Sequence, residues 1–136
     1  MLRNDIARKL ADFPFEKLGV KLALLFGSFA RGDADARSDV DLAFRLEEPF
    51  DPMVKLDLLS EATSRLNTDR VDVVILNSAL GEAPALASRA LSEGLVLYDA
   101  DPAGRIDLHI RARKLAEDER HLLRIADEAR QGGSHG

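Results

Sequence analysis

The sequence predicts an α/β (α+β) protein: a small sheet with helices packed against it, and a long helix at the C-terminal end. Three stretches carry that expectation. "DVDLAFRL" (39–46) alternates, with Val40, Leu42, Phe44 and Leu46 on one face and Asp39, Asp41, Ala43 and Arg45 on the other, which is the two-residue period of a half-buried strand. "RVDVVILN" (70–77) is β-branched and apolar except for Asp72, the composition of a buried strand. From Asp101-Pro102 onward, Leu108, Ala112, Leu115, Leu122 and Ala126 recur at near-heptad spacing, with Glu119 interrupting, which predicts one helix over about 102–130.

The remaining elements follow in order. "IARKLADF" (6–13) carries Ile6, Leu10 and Phe13 at helical spacing, so a first helix is expected, closed by Pro14. "VKLALLFG" (20–27) is short and apolar and ends in glycine, as a buried strand does. "SFARGDADARS" (28–38) is small and polar, and fits one helical turn and a loop. "DPMVKLDLLSEATSRL" (51–66) opens with an Asp-Pro helix start and sets Val54, Leu58, Leu59 and Leu66 on one side. "APALASRALSEG" (83–94) reads as a helix stopped by Gly94, "LVLYD" (95–99) as a short last strand, and "QGGSHG" (131–136) as a flexible tail. The order is helix, strand, strand, helix, strand, helix, strand, helix. No repeat or linker divides the chain, so a single domain over 1–136 is expected, with its core at about 18–99.

The totals narrow the function. A chain of 136 residues, 46% hydrophobic and 32% charged, can build one core under a well-solvated surface. A net charge of −5 argues against stable nucleic-acid binding by broad charge neutralisation, while leaving room for a nucleotide that arrives with its own cations. The chain has no cysteine, which removes disulfides, thiolate metal sites and cysteine nucleophiles. The charged N-terminus is unlike a signal peptide, and the apolar runs are far too short to span a bilayer. A cytoplasmic protein is the expectation.

Gly27 and Ser28 stand at the end of the 20–27 strand. Glycine there lets the backbone approach an anion closely, and the serine adds a hydroxyl donor. By itself a Gly-Ser pair at a strand end is also an ordinary turn. It is no P-loop, since no Gly-Lys-Ser/Thr follows, and no dinucleotide fingerprint. After ten intervening residues come Asp39 and Asp41. Residues i and i+2 of a strand share a face with roots about 7 Å apart. Two carboxylates so placed repel each other unless a cation lies between them, and oxygen-only donors suit Mg²⁺ or Mn²⁺. A plain solvated strand face has the same pattern.

Asp72 bears on that choice. A carboxylate among apolar neighbours needs a partner. If the 70–77 strand lies beside the 39–46 strand, Asp72 joins Asp39 and Asp41, and three carboxylates can hold two divalent ions about 4 Å apart. The alternative is a salt bridge from Asp72 to Arg70 or Arg45. A two-metal carboxylate set clamps in-line displacement at phosphorus, with the third carboxylate able to take the hydroxyl proton. Arg31 and Arg37 are added charges near the turn, or surface arginines.

"GSFARGDADARSDVDL" (27–42) with the later Asp72 resembles the signature of the DNA polymerase β-type nucleotidyltransferases. Its GS-x-ARG-x5-SD-x-DL form is most similar to the minimal nucleotidyltransferase antitoxins. The resemblance covers about 18–99, including "SEGLVLYD". It implies a mixed sheet flanked by helices, ATP as substrate, and two Mg²⁺ ions held by Asp39, Asp41 and Asp72, with Asp72 as base or ligand. It implies nucleotide binding by Gly27, Ser28, Arg31 and Ser38. It also implies a partner, a HEPN-domain ribonuclease toxin, neutralised by AMP transfer to a tyrosine. Two other readings stand beside it: an antitoxin that masks its toxin without catalysis, and a nucleotidyltransferase for a small molecule or an RNA end. The C-terminal helix would either dock a partner or pack on its own core. His109 and His121, twelve apart, lack ligand spacing and read as surface residues. Tyr98 reads as a packing residue at a strand end, and Glu117-Asp118-Glu119 as a solvated helix face.

Overall fold

The computed structural model describes residues 1–133 of the chain. In chain order it holds α1 (Arg3–Lys9), β1 (Val20–Phe26), α2 (Ser28–Arg31), β2 (Val40–Leu46), α3 (Val54–Leu66), β3 (Val71–Ile75), α4 (Leu76–Glu82), α5 (Pro84–Glu93), β4 (Leu95–Asp99) and α6 (Pro102–Gly133). The four strands form one sheet in the order β3-β2-β1-β4. β1 runs antiparallel to β2 and to β4, and β2 runs parallel to β3. The sheet is therefore mixed.

Alternation along the strands divides the core into two layers. Val40, Leu42, Phe44 and Leu46 of β2 pack with Ile6 and Leu10 on one face, together with Leu58, Ala62 and Leu66 of α3. Val73 and Ile75 of β3 point to the same layer. Leu22, Leu24 and Phe26 of β1 and Ala43 of β2 point to the other face, where Leu76 and Ala79 of α4, Ala87 and Ala90 of α5, and Leu108 and Ala112 of α6 cover them. Small residues on α5 let it lie close to β1. At the end of that helix a Cβ on Gly94 would press on the Ala90 carbonyl and the Leu24 side chain, so glycine there is a packing requirement.

Several boundaries differ from the sequence expectations. α1 ends at Lys9, and the chain continues through turns to Pro14. Leu10 and Phe13 still reach the core. The expected strand at 70–77 stops at Ile75, and Leu76 opens α4, a helix not foreseen. The run "VVIL" has no breaker, so the change of backbone leaves no compositional mark. Asn77 shows what it achieves: its Oδ1 accepts from the Leu46 N–H at 2.9 Å and its Nδ2 donates to the Leu46 carbonyl at 2.9 Å. One side-chain amide thus pairs the end of β2 where β3 has left it.

The apolar composition of 70–77 predicts a buried strand with Asp72 inside it. β3 is instead the edge strand, and Asp72 is exposed. At its C-terminal end α6 runs to Gly133, and Gln131, expected in the tail, donates to Asp127 Oδ2 at 3.2 Å. The rest of that expected tail, 134–136, lies outside the described residues. Only the first half of α6 packs, through Leu108, Ala112 and Ala116. Leu115 faces outward, and Leu122, Leu123 and Ile125 are exposed. No described helix is long and apolar enough to cross a membrane.

Candidate active site

β1 delivers the chain to Gly27, whose φ of +74° is a left-handed backbone that glycine adopts without steric cost. A second constraint acts at the same position. A Cβ on Gly27 would run into the Asp41 carboxylate. The bare backbone of Gly27 and the carboxylate of Asp41 therefore lie against each other. Ser28 then starts α2, a single turn closed by Gly32.

Asp41 sits in the middle strand of three. Across β1 it pairs with Phe26, immediately before Gly27, and across β3 it pairs with Asp72. Its side chain shares a face with Ala43, and the alternation of β3 puts Asp72 with Val74 on that same face, opposite Val73 and Ile75. The two carboxylates are thus neighbours on the α5 side of the sheet. With Gly27 and Ser28 they line a cavity of about 320 Å³. Phe26, Val74 and Leu86 give it apolar walls, and Arg31 and Arg89 give it positive charge.

Asp41 is half-buried, and burial pushes its carboxyl above the usual carboxylate range. The negative charges of Asp72 and Asp39 push in the same direction, and Arg31 and Arg89 oppose them. This is the field of a like-charge cluster that a cation would relieve. Asp39 precedes β2, is exposed, and does not line the cavity. Among the described residues no group of three or more His, Cys, Asp or Glu side chains closes tightly enough to hold a metal by itself. The residues nonetheless fit Mg²⁺, which is commonly held by one or two carboxylates and completed by substrate phosphates and water.

The alternative ion pairs of Asp72 are not formed. Arg45 pairs with Asp101 at 4.0 Å, and Arg70 donates to the Ala36 carbonyl at 3.2 Å. Arg31 reaches the cavity but is engaged, its guanidinium donating to Asp33 and to Glu93 at 3.3 Å each. Ser38 is not brought to the cavity. Its Oγ accepts from the Asp35 N–H at 2.9 Å, within the loop that leads into β2. Arg37 likewise stays outside, its backbone N–H bonded to Asp35 Oδ1. His109, expected at the surface, is half-buried and shares a 3.0 Å hydrogen bond with Ser92 Oγ. Tyr98 stacks on Phe15 with centroids 4.5 Å apart, a packing role as expected.

Arg89 is the residue that sequence reasoning missed. It lies in the cavity wall, it acts electrostatically on Asp41, and it makes no hydrogen bond or ion pair among the described residues. In sequence it is one arginine in an alanine-rich helix. Only the packing of α5 over the sheet brings it to the carboxylates.

Comparison with known proteins agrees with this geometry. Residues 8–103 match the family model described as Polymerase beta, Nucleotidyltransferase. A protein adenylyltransferase MntA of Shewanella oneidensis is 32% identical over 95 residues, which is 70% of this chain and 63% of that protein. The chain thus spans less than two thirds of that curated relative's length. A crystal structure of a toxin-antitoxin with AMP-PNP superposes with a TM-score of 0.62 at 27% identity, covering 95% of this chain and 98% of the other. A structure of tri-AMPylated Shewanella oneidensis HEPN toxin in complex with MNT antitoxin gives 0.56 at 26% identity, covering 93% and 94%. The family match spans most of the chain, and this chain belongs to the polymerase beta nucleotidyltransferase family.

Proposed function

We propose that the protein is a Mg²⁺-dependent nucleotidyltransferase antitoxin that transfers AMP from ATP to a tyrosine of a HEPN-domain toxin and so neutralises it. One observation carries this reading: Asp41 and Asp72 pair on one face of the sheet and open, with Gly27 and Ser28, into one cavity. The similar proteins support the acceptor, since one is named a protein adenylyltransferase and another structure holds an AMPylated HEPN toxin.

In this reading Gly27 and Ser28 hold the triphosphate, and Arg89 and Arg31 offset its charge. Asp39, Asp41 and Asp72 are the residues that would hold Mg²⁺ (two ions, with Mn²⁺ able to replace it). The metal supplies charge neutralisation and a more acidic hydroxyl. Asp72, at the outer side of the pair, accepts the proton of the acceptor hydroxyl. Ser38 supports the turn that sets Asp39 in place. The chain acts as one domain over 1–136, in the cytoplasm, where ATP and a reducing environment coincide.

The test is direct. Incubation with α-labelled ATP, Mg²⁺ and the HEPN-domain protein encoded beside this one should put label on a tyrosine of that protein. No label on any protein would overturn the reading. The exposed Leu122, Leu123 and Ile125 of α6 favour a second reading, masking of the toxin by this surface. It requires that Asp41→Asn and Asp72→Asn still protect cells.

A further inference from the structure

The Gly27-Ser28 turn leads into an element too short to support itself. α2 is a four-residue helix, and fixing the first turn of a helix costs more than its few hydrogen bonds return. Its place must be set from outside. Phe29 and Ala30 anchor it from below, in the core layer that Ile6 of α1 and Leu58 of α3 also enter. In one turn nearly every carbonyl is a terminal one, and the last of them need donors from beyond the helix. The Gly27 carbonyl accepts from the Arg31 N–H at 3.1 Å, and the Ser28 carbonyl accepts from the N–H groups of Gly32 and Asp33 at 3.0 and 3.1 Å. The Ala30 carbonyl is served by a side chain from another element: Arg3 Nη1, at the start of α1, donates to it at 3.2 Å.

We infer that Arg3 is a positioning residue for nucleotide binding, holding the Gly27-Ser28 turn through the backbone of α2. The inference rests on the reading above, in which Gly27 and Ser28 hold the triphosphate, and it adds what keeps them in place. Arg3 does not line the cavity, so it acts only through the Ala30 carbonyl. α1 gives it a firm base. Ile6 and Leu10 bury into the core, and at spacings of three and four residues Arg3 shares their side of the chain. The first turn of α1 is fixed as well, since Asp5 accepts from the Leu2 N–H at 2.8 Å and from Arg8 at 2.7 Å. A guanidinium on a carbonyl is a charge-assisted bond, stronger than a neutral one. On its other side α2 is tied to α5, because Arg31 donates to Glu93 at 3.3 Å. The turn is thus held between α1 and α5. It has little slack, because the Gly27 backbone already lies against the Asp41 carboxylate.

Arg3→Ala and Arg3→Lys are compared with the wild type, and Lys9→Ala, which removes the same charge from the same helix, is the control. Arg3 is exposed, so the variants should fold, and a urea midpoint close to that of the wild type checks it. Two quantities are read on the isolated protein: Kd of Mg²⁺-AMP-PNP, and hydrogen exchange of the amides of residues 31–33, which close α2. Arg3→Ala should raise Kd by about threefold to tenfold, the effect of one lost hydrogen bond, and should speed exchange at those amides. Arg3→Lys keeps a cationic donor and should recover most of the loss. Lys9→Ala should change neither quantity. Unchanged Kd and exchange in Arg3→Ala would overturn the inference. An equal rise in Kd for Lys9→Ala would overturn it too, because the charge of α1 and not the bond to Ala30 would then matter. If the wild type binds no Mg²⁺-AMP-PNP, the nucleotide reading itself fails and this inference falls with it, a result visible before any variant is made.

Discussion

Asp41 and Asp72 occupy the same rung of the parallel β2–β3 ladder, with the backbone of Gly27 pressed against the first of them. Two carboxylates on one rung and one face are electrostatically unfavourable, so the arrangement is held by the fold rather than by attraction between them. If it serves transfer, Asp41→Asn and Asp72→Asn should each lower AMP transfer by about 100-fold or more, while co-purification with the HEPN-domain protein persists. A variant that keeps wild-type turnover would remove that residue from the chemistry.

Stability should move in the opposite direction. The folded state holds the Asp41 carboxyl above its ordinary value, chiefly by burial and then by Asp72 and Asp39. Between the unfolded and folded values the native state binds more protons, so the contribution to stability is full below the unfolded value and is lost as pH rises through the folded one. In EDTA at neutral pH, Asp41→Asn should therefore melt higher than the wild type, and the gap should close as pH falls into the acidic carboxylate range. A lower melting temperature for the variant at neutral pH would show that the carboxylate is stabilising there.

Gly27→Ala tests the contact itself. Alanine faces a positive φ of 74° and a Cβ clash with the Asp41 carboxylate. A strained backbone position costs of order 1–3 kcal/mol. Chemical denaturation should show a loss of about that size, together with weakened AMP-PNP binding. Gly32→Ala is the comparison. It has a positive φ of 84° but no atom within 4 Å of its Cβ, so it should lose stability while leaving nucleotide affinity nearly intact.

The sequence made some of this legible and hid the rest for physical reasons. The alternation in 39–46 set Asp41 and Ala43 on the face opposite Val40, Leu42, Phe44 and Leu46, and β2 shows that division, because period two leaves a strand no other choice; Asp39 lies just ahead of the strand. The position of Asp72 opposite Asp41 depended on a parallel pairing and a register that no local pattern encodes. Its exposure was misjudged because an apolar strand looks alike at the edge and at the centre of a sheet. α4 was invisible because Leu76 continues an apolar run. Arg89 was invisible because its place in the cavity comes from the docking of a helix and not from its neighbours in the chain.

Arg89 nevertheless permits a sharp test. Its guanidinium lines the cavity without a bonded partner among the described residues, whereas that of Arg31 is shared between Asp33 and Glu93. The free cation should contribute more to triphosphate binding than the engaged one. Arg89→Ala should raise KM for ATP by roughly tenfold, the effect of losing one charge-assisted hydrogen bond. Arg31→Ala should cost less in KM. Equal effects would mean that Arg31 leaves its carboxylates when nucleotide binds.

The two halves of α6 should respond differently to substitution. Leu108 is 6% exposed and packs in the layer with α4 and α5, whereas Leu122 is 66% exposed. Leu108→Ala opens a cavity in that layer and should cost about 2–5 kcal/mol. Leu122→Lys should stay within about 0.5 kcal/mol of the wild type. Urea denaturation of the isolated protein measures both. If instead Leu122→Lys destabilises the isolated chain as much as Leu108→Ala does, the distal half of the helix is covered in solution. The masking reading, which needs that surface free for a toxin, would then lose its basis.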